Sequence, residues 1–166
     1  MKRLESVVAS AVAVLATSAL AERGLVTAAL QAGQVLELAP VVAAERRTPM
    51  LGTLTYGLSE RWSLASGLGL EFQGGGPTLG WFLGPRLSLF RNEWWSVEAL
   101  LTPEVLWRPS TQRVDLSARA GVAVRWLMMW GVGLALELGA RGRFDAQGPF
   151  TPALEAYAVG GLYIEA

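Results

Sequence analysis

The side chains of this chain that could take part in chemistry are carboxylates and arginines in segments of alternating polarity. Four glutamates, Glu98, Glu104, Glu137 and Glu155, could serve as general acids or bases. Arginines are available to pair with them, and a carboxylate held beside a guanidinium stays ionised, which favours a structural role over a catalytic one. We therefore interpret the glutamates as members of an ion-pair network. The arginines of that network are Arg86, Arg113, Arg119 and Arg141.

The composition excludes several other kinds of site. The chain has no Cys and no His, which removes thiol nucleophiles, disulfides, Ser-His hydrolase arrangements and the commonest transition-metal ligand. Lys plus Arg and Asp plus Glu both number 14, so no basic field exists to attract nucleic acid. Residues 74–76 are three glycines without the Lys and Ser/Thr of a P-loop, so they indicate a loop. We expect no enzyme activity, no cofactor, no metal site and no nucleic-acid partner.

The charged residues lie on one face of two adjacent segments within residues 113–143. From Val114 to Trp126 every second residue is apolar, and Arg119 is among the residues between them. The second half of the stretch repeats the pattern with Glu137 on its polar face. A period of two residues is that of a β-strand. The stretch therefore predicts a hairpin with one apolar face and one charged face.

The rest of the chain repeats this alternation and offers no helices to cover the apolar faces. From Gln34 to Ala166 it divides into about eight segments, each near the roughly 9 to 11 residues with which a tilted strand crosses a bilayer. Lipid could cover the apolar faces if the charges turned into a closed barrel. We predict an all-β, closed, antiparallel, up-and-down transmembrane β-barrel of about eight strands. Its interior would be only wide enough for packed side chains, and inward glycines would make room for long Arg and Glu side chains.

The N-terminal residues have the three parts of a secretory signal. Lys2 and Arg3 precede an apolar run, and Ala19-Leu20-Ala21 is a small-x-small cleavage site. The run is shorter than a bilayer-spanning helix. We expect a cleaved signal peptide over residues 1–21, a periplasmic lead-in over residues 22–33, and the barrel over residues 34–166.

Aromatic residues cluster beside one set of predicted turns. With an even number of strands, both termini lie on the periplasmic side, so these turns are periplasmic. Trp and Tyr prefer the interface between membrane and water. We expect an interfacial girdle of Trp62, Trp94, Trp95, Trp126, Trp130 and Tyr163.

The predicted turns also set which inward residues oppose each other. Turns centred on Asn92, on Arg108-Pro109 and on Met128 place four residues of alternating sign side by side, with Arg119 at the centre. A longer loop at Arg108-Pro109 would slide its pairing by two residues. The predicted row is Arg86, Glu98, Arg119 and Glu137. The same turns oppose two further pairs, Glu104 to Arg113 and Asp115 to Arg141.

With this organisation, residues 34–166 resemble the small eight-stranded outer-membrane barrels of the OmpA and OmpX type. The resemblance is architectural and is carried by the signal, the strand count, the alternation, the tryptophan girdle and the charged interior. It implies an outer-membrane location, outer-membrane lipid as the surroundings, and a monomer. The chain departs from these barrels in its short loops and in ending on Ala166 rather than on an aromatic residue.

Four functions are compatible with such a chain. The favoured one is an integral outer-membrane barrel with a narrow, charge-filled lumen that is structural or holds a protein partner, whose identity the sequence does not give. The alternative is a transport or binding barrel for a small solute or an apolar ligand. A lipid-modifying barrel enzyme is disfavoured, because similar barrels that act on lipid A use a His. A soluble barrel of lipocalin type would bury its apolar face and would need no detergent.

Overall fold

Eight antiparallel strands close into a barrel. The computed structural model describes residues 24–39, 47–59, 61–73, 76–146 and 153–166. Each strand pairs with the next, and the first pairs with the last, which confirms the predicted all-β, closed, up-and-down barrel. The described residues include no helix long and apolar enough to cross a membrane. The strands are β1 (Val26–Ala39), β2 (Thr48–Gly57), β3 (Trp62–Gln73), β4 (Gly76–Arg91), β5 (Trp95–Arg108), β6 (Arg113–Met129), β7 (Val132–Asp145) and β8 (Ala153–Glu165).

The first strand begins earlier than predicted. β1 starts at Val26, so the expected lead-in over residues 22–33 is wrong from that residue onward, and the barrel begins before Gln34. Thr27 and Gln31 are buried in the lumen, whereas Leu30 between them is half exposed on the outside. This segment is rich in Ala and Gly, whose weak hydropathy hides the alternation. The expected signal peptide, residues 1–21, lies outside the described residues.

The outer face of the barrel is apolar, whereas the inner face carries the buried charges. Leu68 on the outer face is 68% exposed and Leu136 is 47% exposed. On the inner face Glu137 is 1% exposed and Glu155 is 0% exposed. Because side chains alternate along a strand, closing the sheet with its charges inward leaves an apolar outer wall on every strand.

Three turns set the register of the strands from β4 to β7, and each lies later in the chain than predicted. Asn92 begins its turn instead of centring it, because its side-chain oxygen accepts hydrogen bonds from the backbone N–H groups of Trp94 and Trp95, at 2.9 and 2.7 Å. The next loop occupies residues 109–112. The last turn is formed by Trp130 and Gly131, whose φ angles of 50° and 76° match a two-residue hairpin turn with both central residues left-handed.

The later turns shift the predicted pairing by even numbers of residues. Glu98 lies opposite Ser88 of β4 instead of Arg86, a shift of two that includes a bulge between Ser88 and Phe90. Across β5 and β6, Glu98 lies opposite Ala123 instead of Arg119. Across β6 and β7, Glu137 also lies opposite Ala123 instead of Arg119. An even shift keeps each side chain on its own face, so the predicted faces remain while the predicted opposing residues are wrong.

Glycines inside the barrel make room for aromatic rings. Phe82 lies opposite Gly67, Tyr157 opposite Gly139 and Tyr163 opposite Gly133. A Cβ atom at Gly67 would lie 2.5 Å from the Phe82 ring, and one at Gly139 would lie 2.9 Å from the Tyr157 hydroxyl. The sequence interpretation assigned this space to charged side chains, which holds at Gly80, where a Cβ would lie 3.0 Å from a Glu104 carboxylate oxygen.

We predict that Gly139→Ala destabilises the barrel by about 1 to 3 kcal/mol, the usual cost of overpacking. A Cβ there would lie 2.8 Å from the Cα of Gly121 in the neighbouring strand, so the backbone itself would have to move. Gly52→Ala is the matched control, because a Cβ at Gly52 meets nothing within 4 Å. Urea unfolding of both variants in lipid vesicles measures the difference, and equal stabilities would contradict the described lumen packing.

Candidate functional site in the barrel lumen

A continuous series of ion pairs runs along the lumen. At the end of the barrel where β1 begins and β8 ends, Glu98 of β5 lies 3.2 Å from Arg125 and 3.5 Å from Arg86. Arg86 of β4 also lies 3.0 Å from Glu137 of β7. Each of these side chains is buried. Charges of opposite sign therefore alternate across four strands at this end of the network.

Arg119 of β6 occupies the middle of the network. Its guanidinium lies 3.4 Å from Glu137 and 3.7 Å from Glu104. The same guanidinium carbon lies 4.5 Å from the centre of the Phe82 ring and 5.7 Å from that of Tyr157, within the range of a cation–π interaction. Arg119 therefore has a carboxylate on two sides and an aromatic ring against its flat face.

A second centre lies at Arg141 of β7. Its guanidinium forms a two-point contact with the Glu71 carboxylate, lies 2.6 Å from Glu155 and lies 3.7 Å from Glu104. Glu155 also accepts a hydrogen bond of 2.7 Å from Arg47, which in turn lies 3.3 Å from Glu37. Since Glu104 contacts both Arg119 and Arg141, it joins the two centres into one network.

Asp115 forms the edge of the network at the far end. It lies 2.6 Å from Arg108 and 3.9 Å from Arg143, and Arg143 lies 3.5 Å from Glu155. With these pairs, the described network contains seven arginines and seven carboxylates. The arginines are Arg47, Arg86, Arg108, Arg119, Arg125, Arg141 and Arg143. The carboxylates are Glu37, Glu71, Glu98, Glu104, Asp115, Glu137 and Glu155.

Some of the contacts predicted from the sequence are present in this network, and others have changed partner. Arg86 contacts Glu98, and Arg119 contacts Glu137. Neither pair is directly opposed: the partners are offset from direct pairing by two and by four residues, a distance that the long Arg and Glu side chains span. The predicted contact between Glu98 and Arg119 is replaced by one between Glu104 and Arg119. Arg119 therefore has two carboxylate neighbours, as predicted, but one of them is Glu104 instead of Glu98.

Two predicted pairs are wrong. Arg113 lies exposed at the start of β6, opposite Arg108, while Glu104 accepts a hydrogen bond from Ser117 and contacts the central arginines. Asp115 contacts Arg108 and Arg143 instead of Arg141. Both errors have the same physical cause, the four-residue shift in pairing that the later turns produce.

Sequence reasoning missed the contribution of Arg47 and an apolar layer. Arg47 lies just before β2, outside the segments of clear alternation, but its backbone pairs with Val35 and its side chain is only 2% exposed. The apolar layer lies inside the lumen and was hidden by the assumption that inward positions are polar. It consists of Val35, Leu51, Phe82, Tyr157 and Val159.

The predicted aromatic girdle lies at the end of the barrel with the short turns, and all of its members except one face outward. Trp95 and Trp126 stack with ring centres 5.4 Å apart and planes within 9°. Tyr163 does not belong to this set. It is 3% exposed and faces the lumen, because the alternation of β8 places it on the same side as Glu155. The remaining exposed members are Trp62, Trp94, Trp95, Trp126 and Trp130.

The lumen opens into a vestibule at this same end. One cavity of about 410 Å³ and an adjoining one of about 260 Å³ share Glu98 and Arg125 in their walls. Beyond these two residues lie the buried ion pairs and the buried apolar layer. Among the described residues, no group of three or more His, Cys, Asp or Glu side chains could hold a metal ion.

Fold and lumen together define an eight-stranded barrel with an apolar outer wall and a packed, charge-paired interior, and comparison with known proteins supports the fold. A de novo designed transmembrane β-barrel shares it, with a TM-score of 0.54 and 14% identity over 88% of this chain and 98% of that one. Neisserial surface protein A (TM-score 0.48, 12% identity, 85% and 96% covered) and the Yersinia pestis outer membrane protein Ail (0.40, 10%, 84% and 99%) are also similar. No protein-family model and no curated protein matches the chain.

We predict that Arg119→Met destabilises the barrel by about 3 to 5 kcal/mol, because it leaves buried carboxylates without their cation. Adding Glu137→Gln should recover part of that loss, since the two residues share one contact. Arg113→Met is the control with the same change of side chain at an exposed position, and it should cost less than about 1 kcal/mol. Urea unfolding gives all three values, and strictly additive effects of the Arg119 and Glu137 changes would refute the network.

Proposed function

We propose that this chain is an integral outer-membrane β-barrel protein whose lumen is plugged by ion pairs, and that its role is structural or partner-holding and not catalytic. The observation that carries the proposal is the separation of polarity between the two faces of a closed barrel. A water-soluble barrel of lipocalin type would have the opposite arrangement, with apolar residues inside and charges outside.

The apolar outer wall supports a lipid environment. Large apolar side chains are exposed on all eight strands, including Leu30, Leu68, Leu101 and Leu162, each at least 50% exposed. Soluble monomers rarely expose contiguous apolar patches beyond a few hundred Å². A closed barrel also pairs every backbone group of its strands, which is the requirement for crossing a bilayer.

The tryptophans support an orientation within that lipid. They lie at the end with the short turns, where β1 begins and β8 ends, and this end faces the periplasm in bacterial outer-membrane barrels. Their amphipathic rings fit the interface between lipid and water. On this proposal the girdle of Trp62, Trp94, Trp95, Trp126 and Trp130 marks the periplasmic membrane boundary.

The filled lumen supports a structural role over transport. The central arginines and carboxylates are each less than about a tenth exposed and contact one another across the barrel, so an ion or solute would have to break several buried pairs to pass. Breaking even one such pair is costly. The proposed functions are therefore stabilisation of the outer membrane or display of a surface to a protein partner.

Membrane fractionation and planar-bilayer recordings test the proposal together. We expect the protein in the outer membrane, a different apparent size in gels before and after boiling, and no steady open-channel steps. A monomer that stays soluble without detergent would refute the membrane location. Steady conductance from a membrane-inserted barrel would instead favour transport.

We predict that Leu136→Arg destabilises the barrel by about 2 to 4 kcal/mol, the cost of a cation on the lipid face near the middle of the bilayer. Ser110→Arg is the control, because Ser110 is exposed in the loop between β5 and β6 and should tolerate the change. The free energy of unfolding in lipid vesicles measures the effect of both substitutions. Equal free energies for the two variants would contradict the assignment of the outer wall to lipid.

A further inference from the structure

We propose that the larger cavity of the vestibule is a binding site for a small oxyanion of the class of inorganic phosphate or a phosphate monoester. The inference concerns the interior of the barrel end and holds whether or not the outer wall lies in lipid. It rests on the shape of the cavity, the charges in its wall and the closed floor beneath it.

The wall of the cavity is rich in hydrogen-bond donors. Three arginines line it, Arg61, Arg91 and Arg125, together with the hydroxyl-bearing residues Ser59, Ser63, Ser88, Thr27 and Thr55. Guanidinium and hydroxyl groups are the common donors to phosphate oxygens. At about 410 Å³ the cavity falls within the size range of small-molecule sites.

The arginines of the wall retain donors for a ligand. Arg91 is half exposed and gives one nitrogen to Glu165, at 2.6 Å, which leaves the rest of its fork available. Arg61 is exposed. The described ion pairs of the vestibule carboxylates involve other arginines: Glu98 pairs with Arg86 and Arg125, and Glu165 pairs with Arg91. Arg61 and Arg91 are therefore the residues that would bind the anion, and buried Arg125 would add positive charge at the bottom of the cavity.

The charges also distinguish the two cavities. Among the described residues of the larger cavity, Glu98 is the one acidic residue beside the three arginines, and it already contacts Arg86 and Arg125. The smaller cavity shares Arg91, Arg125 and Glu98 with the larger one, but its described wall lacks Arg61 and adds the carboxylates Glu93 and Glu165. An anion would be repelled from the smaller cavity and attracted to the larger one.

The closed bottom of the cavity makes it a binding site and not the entrance of a channel. Below Arg125 and Glu98, the lumen is occupied by the ion pairs of Arg86, Glu137 and Arg119. The cavity opens at the end of the barrel, which favours a free anion. A phosphate carried on a lipid headgroup has the same chemistry, so the experiment must separate the two sources.

Phosphate titration of the refolded full chain in an uncharged detergent tests the proposal. Inorganic phosphate is added at constant ionic strength against chloride, and binding is followed by calorimetry and by tryptophan fluorescence, since Trp62 lines the cavity. We expect saturable binding that Arg61→Gln and Arg91→Gln each weaken about tenfold, the effect of losing one charged hydrogen-bond donor. Glu165→Gln should tighten binding, because it frees Arg91 from its carboxylate.

Arg113→Gln is the matched control, because Arg113 is exposed at the start of β6, the strand end remote from the vestibule, and it should bind phosphate as the unaltered chain does. The shift between boiled and unboiled gels checks that each variant is folded, and Arg61→Gln removes no ion pair of the described network. Absence of saturable phosphate binding, or equal weakening by Arg113→Gln and Arg61→Gln, would overturn the proposal. Binding to vesicles containing phosphatidic acid without binding of inorganic phosphate or glycerol phosphate would overturn it in favour of a lipid headgroup.

Discussion

The pairing of buried charges is the constraint on which the rest of this structure depends. An eight-stranded barrel has no room for bulk water around each inward side chain, and an unpaired ion in such a place costs several kcal/mol. Because one arginine can contact two or three carboxylates, the seven arginines and seven carboxylates form a branched network in place of separate pairs. Strands distant in sequence, such as β3 and β7, are thereby joined through Arg141 and Glu71 as well as through the sheet.

Aromatic rings and glycines shape the space in which that network forms. Phe82 and Tyr157 each pack over a glycine of the neighbouring strand, and Arg119 lies against both rings. Because the glycines have no side chain, the rings pack directly over the backbone of the neighbouring strand, and the guanidinium packs over the rings. Tyr163 repeats this arrangement with Gly133 and Arg125, whose guanidinium carbon lies 5.8 Å from the ring centre. The apolar and charged parts of the interior are therefore one packed unit.

The sequence predicted the class of fold and the face of each residue, and it did not predict which residues meet. Alternation is local and has a period of two, so Glu137 could be placed inside and Leu136 outside without knowledge of any partner. Register depends on the turns. A hydrogen bond that the Asn92 side chain accepts from the backbone, or two left-handed residues such as Trp130 and Gly131, moves the strand pairing by several residues. The strand from Val26 was missed because Ala and Gly carry little alternation, and Arg47 was missed because it lies just before β2, outside the segments of clear alternation.

The even size of these register errors explains why the charged interior was still predicted. A shift of two or four residues preserves the face, so the same arginines and carboxylates remain in the lumen and find new neighbours within reach of their long side chains. Glu104 replaces Glu98 beside Arg119 in this way, and the alternation of sign is retained. A lumen with many charges of both signs therefore tolerates changes in turn length that would disrupt one built on a single pair. At the end where the network stops, Arg61 and Arg91 line the larger cavity, and Arg91 pairs with Glu165.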